Sequence, residues 1–147
     1  MNGNDNNYHE RSSAPVGEPL FEAWCMEKQF RCIRYNIDES IRIPRYWEIN
    51  PILRNVPDYL VITPKGKRVV QVKGTYNLKH QEYLMIPEFI KNYGTPKVPL
   101  YYAFCVRGEN PVVLPAERVI VIYDHSGPDK QWESDGKIYR TLDLTMG

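Results

Sequence analysis

Apolar and polar residues follow a helical period near the start of the chain and then change to strict alternation. The apolar residues of the first segment lie on one face of a helix: Leu20, Phe21, Trp24 and Cys25. We place this helix at residues 17–29, with Pro19 in its first turn, where proline is tolerated. Alternation predicts a strand at residues 30–37. Residues 38–56 contain two prolines, so we expect an extended connection there with one short edge strand.

A tight hairpin is predicted next, with strands at residues 59–63 and 67–73 joined by a Pro-Lys-Gly turn. A second helix follows, because these apolar residues recur at helical spacing: Leu78, Met85, Ile86, Phe89, Ile90 and Tyr93. Gly94 is a suitable C-terminal stop for this helix. Pro87 lies inside the same segment, so we expect a kink or two short helices.

The second half of the chain contains two continuous apolar runs, LYYAFCV at residues 100–106 and VIVIYD at residues 119–124. Both are rich in β-branched and aromatic residues and predict buried central strands. A turn at Asp135-Gly136 before KIYRTLDL predicts one more hairpin arm. We therefore expect a frayed tail at residues 1–16 and one α/β domain at residues 17–147, with a mixed central sheet flanked by helices.

Composition narrows the class of protein. The 147 residues fit one domain, and no run approaches the ~18 apolar residues that a membrane-spanning helix needs. The first dozen residues lack the basic start and apolar stretch of a signal peptide, so we expect an intracellular, cytoplasmic protein. Three widely spaced cysteines, Cys25, Cys32 and Cys105, indicate reduced core thiols. The net charge of +1 means that nucleic-acid binding would need a local basic face.

The predicted hairpin brings three polar side chains to one face. If Lys65 and Gly66 form a two-residue loop, Asp58 lies opposite Lys73, and Asp58, Gln71 and Lys73 project from the same surface. A register change of one residue would separate Asp58 from the other two, so the prediction requires a loop with an even number of residues. The plainer alternative is an exposed cross-strand ion pair between Asp58 and Lys73 that contributes a few tenths of a kcal/mol.

These residue types suit phosphodiester hydrolysis, which needs a hard cation to neutralise the phosphate and activate water. Asp58 and the Gln71 amide oxygen can ligate Mg²⁺, the carbonyl of Val72 is a possible further ligand, and Mn²⁺ can substitute. Lys73 can polarise the attacking water and offset the charge that develops at phosphorus. No glycine-rich phosphate loop, serine or cysteine nucleophile motif or histidine metal spacing competes with this interpretation.

At Pro57-Asp58 and Gln71-Val72-Lys73 the sequence resembles the PD-(D/E)xK nuclease superfamily. The predicted element order also resembles its restriction-endonuclease-like αβββαβ core. The resemblance implies a magnesium-dependent deoxyribonuclease of homing, restriction or junction-cleaving type, associated with nucleoid or viral DNA, and leaves RNA as a substrate open. An enzyme that cuts both strands would act as a homodimer or larger homo-oligomer.

Gln71 stands where most members of that superfamily carry a carboxylate. Glutamine occupies this position in a small bacterial intron-encoded homing endonuclease that the spacing resembles. An amide oxygen still ligates a cation but removes one negative charge, which weakens the metal site. Two hypotheses therefore remain: a working nuclease, which we favour, and a catalytically silent nucleic-acid- or protein-binding module that retains the fold.

Further residues are candidates for metal or DNA contact. Superfamily members often add a glutamate from the first helix; Glu22 is the first choice and Glu18 the second, and Glu27 lies on the other flank of the apolar stripe. By resemblance, Lys79 and Gln81 near the start of the second helix could contact a phosphate. The basic and aromatic run before the motif could bind a nucleic-acid backbone or stack on bases, or simply cover the core: Arg42, Arg45, Tyr46, Trp47 and Arg54.

Overall fold

The computed structural model describes residues 13–34 and 57–146. Three helices lie in these ranges, α1 (Ser13–Lys28), α2 (His80–Tyr93) and α3 (Ala116–His125), with a short 3-10 helix at Leu144–Met146. The strands are β1 (Arg31–Arg34), β2 (Tyr59–Thr63), β3 (Gly66–Lys73), β4 (Asn77–Lys79), β5 (Leu100–Phe104), β6 (Val112–Pro115), β7 (Lys130–Gln131) and β8 (Ile138–Thr141). The basic and aromatic run from Arg42 to Arg54 lies outside the described residues.

The described strands form a five-stranded central sheet in the order β1-β2-β3-β5-β6. β1, β2 and β3 are antiparallel neighbours, β5 runs parallel to β3, and β6 returns antiparallel to β5. The parallel β3–β5 pair needs a crossover, and α2 provides it. The expected α/β fold, with a mixed central sheet flanked by helices, is confirmed. Along the chain, α1 is followed by the central strands β1, β2 and β3, then by β4, α2 and the central strand β5.

Strand β3 separates two apolar clusters, one on each side of the sheet. Val70 and Val72 pack with Phe21 and Cys25 of α1, which covers one face. Val69 packs in the larger cluster that α2 and α3 form on the other face. Because side chains alternate along a strand, Gln71 and Lys73 share the α2 side with Val69.

Helix α1 lies very close to the end of β3. A Cβ atom on Gly17 would lie 3.1 Å from the Cα atom of Gly74 and 3.2 Å from a methyl group of Val72. Glycine therefore permits an approach that a larger residue would disturb. This contact brings the N-terminal half of α1 next to the strand end that carries Gln71 and Lys73.

The predicted hairpin is present, but its turn differs from the expected one. Thr63 pairs with Gly66, so Pro64 and Lys65 form the loop, and the register is shifted by two residues from the prediction. Gly66 has φ 130°, a conformation that favours glycine at the start of β3. Because two is an even number, the shift leaves every side chain on its predicted face.

The run VIVIYD is part of helix α3, so the prediction of a central strand there was wrong. The buried residues of α3 recur at helical spacing: Ala116, Val119, Ile122 and Tyr123. Val121 points outward and is 50% exposed. A continuous apolar run does not distinguish a buried strand from a helix by its period, and the strand lies earlier, at Val112–Pro115.

Other element boundaries also differ. Helix α1 begins at Ser13, so Pro19 lies inside it and not in its first turn, while its end at Lys28 agrees with the prediction. Helix α2 begins at His80 and continues through Pro87 as one helix, and Leu78 belongs to β4. The strand predicted at residues 30–37 is described only from Arg31 to Arg34.

The predicted C-terminal hairpin is confirmed, and it forms a second sheet. β8 pairs with both β4 and β7, giving the order β4-β8-β7. Thr141 Oγ1 donates a hydrogen bond of 2.7 Å to Asn77 Oδ1, and the Leu142 N–H donates one of 2.8 Å to the Tyr76 carbonyl. This sheet therefore fixes β4, the strand that leads directly into α2.

The structure also bears on the composition-based expectations. Cys25, Cys32 and Cys105 are free thiols, and Cys25 and Cys105 are buried. Among residues 13–34 and 57–146, no helix is both long enough and apolar enough to cross a membrane.

A matched pair of substitutions tests whether residues 116–125 form a helix. Val119 is fully buried and Val121 half-exposed, so Val119→Ala should lower the free energy of unfolding by about 2 kcal/mol. Val121→Ala should change it by less than about 0.5 kcal/mol. Urea unfolding of both variants measures these costs. Equal costs would contradict the helix, because residues two apart share a face in a strand.

Candidate active site

Asp58 precedes β2 and is bound to β3 through its side chain. Its Oδ2 atom accepts a hydrogen bond of 2.8 Å from the Val72 backbone N–H. Tyr59 pairs with Val70, so the next position along the register places Asp58 beside Gln71, two residues from the expected Lys73. At the point where β2 begins, the carboxylate thus accepts the hydrogen bond that a backbone carbonyl of a paired strand would otherwise accept from Val72.

Burial is the main influence on the Asp58 carboxyl group and raises its pKa from 3.8 to about 6. The hydrogen bond from Val72 lowers this pKa, the negative charge of Glu18 raises it, and the positive charges of Lys73 and Arg34 lower it. A buried carboxylate with too little positive charge around it is stabilised by any cation that binds to it. A cation bound at Asp58 would therefore stabilise the charged form of this carboxyl group.

Gln71 carries an unsatisfied acceptor. Its Oε1 atom is buried and has no hydrogen-bond partner among the described residues. Leaving such a group unpaired costs about 1–3 kcal/mol, which a ligand at this atom would recover. Gln71 lies beside Tyr102 of the parallel strand β5, in the middle of the sheet.

The backbone of Val72 adds a third oxygen. In a strand, the N–H and C=O groups of one residue point to the same edge. Because the Val72 N–H points to Asp58, its carbonyl points to that side as well. Asp58, Gln71 and Val72 therefore bring a carboxylate, an amide oxygen and a backbone carbonyl to the same end of the hairpin. Oxygen atoms are the ligands that Mg²⁺ prefers.

Lys73 forms an ion pair with Glu82 of α2, whereas the alternative considered from sequence paired it with Asp58. Its Nζ atom lies 3.0 Å from Oε1 and 2.8 Å from Oε2 of Glu82. The Lys73 side chain is 19% exposed, so this pair is partly protected from water. Both residues line a cavity of about 220 Å³ together with Gln71, Met85, Phe89 and Tyr102.

The two candidate glutamates of α1 have different surroundings. Glu22, the first choice from sequence, is hydrogen-bonded to Arg34 and to the hydroxyl of Tyr59, whose ring packs in the cluster beneath α1. The bond from Tyr59 is the main cause that lowers the pKa of Glu22. These contacts hold Glu22 between Arg34 and Tyr59, and its role as the helix glutamate of the site stays a prediction.

Glu18 is the better candidate. Its charge acts on the Asp58 carboxyl group, whereas Glu22 is not among the influences on that group. Burial raises the pKa of Glu18, Arg34 at 3.3 Å lowers it, and Glu22 raises it. Glu27 is exposed near the end of α1.

The residues expected to contact phosphate are separated by the structure. Lys79 ends β4 and lines a groove of about 360 Å³ with Lys73, Glu82 and Trp132. Gln81 is exposed in the first turn of α2 and lines neither this groove nor the smaller cavity. Lys79 therefore lies in the groove that adjoins Lys73, whereas Gln81 lines neither of these two surfaces of the described structure.

Glu82 and Tyr102 were not identified from the sequence. Glu82 lies nine positions after Lys73, and placing the start of α2 at His80 would have put it in the first turn, near the strand end. The described ranges contain no group of three histidine, cysteine, aspartate or glutamate side chains that could hold a metal ion.

Comparisons with known proteins find a likeness among solved structures. No protein-family model matches the chain, and no curated protein matches it. Among solved structures, it is similar to Hjc, a Holliday junction resolvase from the archaeal hyperthermophile Archaeoglobus fulgidus. The identity is 12%, 85% of each chain is covered, and the TM-score is 0.46. At this identity and score, a function for the chain has to be inferred from its own side chains.

The raised pKa of Asp58 predicts a pH-dependent cost to stability. As pH rises above about 4, the unfolded chain loses this proton first, so the folded state loses stability until about pH 6 and keeps that cost above it. Asp58→Asn retains an acceptor for Val72 but removes the charge. In chelator, this variant should gain up to about 3 kcal/mol over the parent between pH 4 and 7.

Urea unfolding at several pH values measures this difference. Glu88→Gln is the matched control, because Glu88 is an exposed acid on α2. A gain for Asp58→Asn that is the same at pH 4 as at pH 7 would show that Asp58 is not a desolvated acid.

Proposed function

We propose that the protein is a metal-dependent nuclease of PD-(D/E)xK type that hydrolyses phosphodiester bonds, with DNA as its substrate. The observation that carries the proposal is the unsatisfied, buried Oε1 atom of Gln71, which lies on the same face of β3 as Lys73. Asp58, whose carboxyl group is buried, lies beside Gln71 in the strand register. An apolar core has no use for this combination, whereas a cation site needs it.

The oxygen atoms at the end of the hairpin fit a hard divalent cation. Asp58, Gln71 Oε1 and the Val72 carbonyl would hold it, and Glu18 would add negative charge from α1. A bound Mg²⁺, or Mn²⁺ in its place, neutralises phosphate charge and makes water more acidic. The burial of the Asp58 carboxyl group supports this assignment more directly than the number of carboxylates does.

Lys73 is the proposed catalytic cation. Its ammonium group lies in the cavity beside Gln71, where Glu82 restricts its position. From there it can donate a hydrogen bond to a phosphate oxygen or to the attacking water, and its charge offsets the negative charge that develops in the transition state. Lys79, in the adjoining groove, is placed to bind a neighbouring phosphate.

One such site cuts one strand, so cleavage of a duplex would require two copies of the chain in a homodimer or larger assembly. The silent binding module remains the second candidate, favoured by the amide at position 71 and the absence of three clustered acids among residues 13–34 and 57–146. The two functions differ in one respect that is simple to measure. Only the nuclease consumes its substrate.

Cleavage assays test the proposed function. Supercoiled, linear and single-stranded DNA, a four-way junction and RNA should be incubated with Mg²⁺, Mn²⁺ or chelator. We expect metal-dependent cleavage of at least one DNA substrate. Asp58→Ala should abolish it, and Lys73→Ala should slow it by roughly 10²-fold or more with little change in DNA binding.

Lys67→Ala is the matched control for Lys73→Ala, because Lys67 is an exposed lysine on the same strand. Thermal melts confirm that each variant folds. If Asp58→Ala and Lys73→Ala cleave as fast as Lys67→Ala, the chemistry takes place elsewhere. Binding without cleavage of any substrate, unchanged by chelator, would identify the silent module.

Salt dependence tests the nucleic-acid part of the proposal separately. With a net charge of only +1, binding must depend on local lysine and arginine contacts. The affinity for a fluorescent DNA duplex in chelator should fall by about tenfold or more between about 50 and 200 mM salt. Lys79→Ala should weaken binding and reduce the salt slope by about one, unlike Lys91→Ala at the far end of α2. A salt-independent affinity would rule out a phosphate-binding face.

A further inference from the structure

Glu82 reaches the candidate site from a different element than the other acids. It lies in the first turn of α2, and both of its carboxylate oxygens contact Lys73 Nζ, at 3.0 and 2.8 Å. It lines the same cavity as Gln71. β3 carries an uncharged amide at position 71, and Glu82 of α2 places a negative charge on the opposite wall of the same cavity.

The charge of Glu82 adds to the attraction for a cation. Asp58 and Lys73 together carry no net charge, so without Glu82 the net negative charge at the site would come only from Glu18 of α1. With Glu82 ionised, Asp58 and Glu82 together leave one negative charge after Lys73 is neutralised. A carboxylate at position 71 would have given the same total.

Tyr102 shows that the two carboxylates act on one region. This residue pairs with Gln71 across β3 and β5 and lines the cavity. Burial raises the pKa of the Tyr102 hydroxyl most, and the charges of Glu82 and Asp58 raise it further. The fields of both acids thus meet at the centre of the sheet, beside Gln71.

We propose that Glu82 supplies from α2 the negative charge that Gln71 does not, and that it holds the Lys73 ammonium in the cavity beside Gln71. Glu82 is thus a positioning residue that acts through Lys73, and it also sets the charge that attracts the metal ion. This inference rests on the proposed nuclease function. The candidates named from sequence near the start of this helix were Lys79 and Gln81, and Glu82 was not among them.

The first test moves the charge between the two walls of the cavity. The parent, Glu82→Gln, Gln71→Glu and the double variant are compared by calorimetric titration with Mn²⁺ in the absence of nucleic acid. Glu82→Gln should weaken Mn²⁺ binding by about tenfold, and Gln71→Glu should strengthen it by a similar factor. The double variant should return to the parent's affinity, because the total charge is restored.

Glu88→Gln is the matched control on the same helix, since Glu88 is exposed and lines neither cavity. Glu82→Asp separates charge from position: it should bind Mn²⁺ like the parent but cleave more slowly, with kcat lowered and KM unchanged. It also serves as the test variant if thermal melts show that Glu82→Gln is unfolded.

Mn²⁺ binding by Glu82→Gln that equals that of Glu88→Gln, or a double variant no better than Glu82→Gln, would overturn the inference. So would a parent that binds no Mn²⁺. The proposed function fails in a different way: the charge pattern holds in the Mn²⁺ titrations while no nucleic acid is cut. Conversely, loss of cleavage in Asp58→Ala with no effect of Glu82→Gln or Glu82→Asp would support the nuclease and reject the role of Glu82.

Discussion

The hydrogen bond from the Val72 N–H to the Asp58 carboxylate determines the arrangement of the candidate site. It joins the start of β2 to the end of β3 through a side chain. The buried carboxyl group therefore occupies the position that a backbone carbonyl of a longer β2 strand would take. The same bond directs the Val72 carbonyl toward Asp58 and leaves Gln71 to face α2. If this bond were absent, the three oxygens would no longer share one end of the hairpin.

Two apolar clusters keep this polar group in place. Val70 and Val72 are buried beneath α1, and Val69 is buried beneath α2 and α3, so β3 cannot rotate without exposing one set. The cores therefore maintain a buried acid with a raised pKa and an unpaired amide oxygen, both of which are unfavourable in isolation. Functional sites are where such local costs are expected.

The parts of the structure that could be predicted are those set by residues close together in the sequence. Alternation and a proline-glycine turn were enough for the β2–β3 hairpin, and a turn displaced by two residues did not move Asp58, Gln71 or Lys73 to other faces. The VIVIYD segment was misassigned because a continuous apolar run has no distinguishing period, and only the exposure of Val121 reveals the helix.

The parts that were missed depend on packing between distant elements. Choosing Glu18 over Glu22 requires the knowledge that Tyr59 and Arg34 occupy Glu22, and both lie on other strands. Glu82 could not be connected with Lys73 while Leu78 was assigned to the helix, because the true start of α2 lies two residues later.

The small sheet at the end of the chain has a consequence for synthesis on the ribosome. β4 leads directly into α2, and its partner β8 comes much later in the sequence: Asn77 and Thr141, which pair, are 64 positions apart. During synthesis the residues of the β2–β3 hairpin therefore precede those of β8 by a long stretch of chain. The strand that leads into α2, and with it Glu82, has no β8 partner until residues 138–141 have been made.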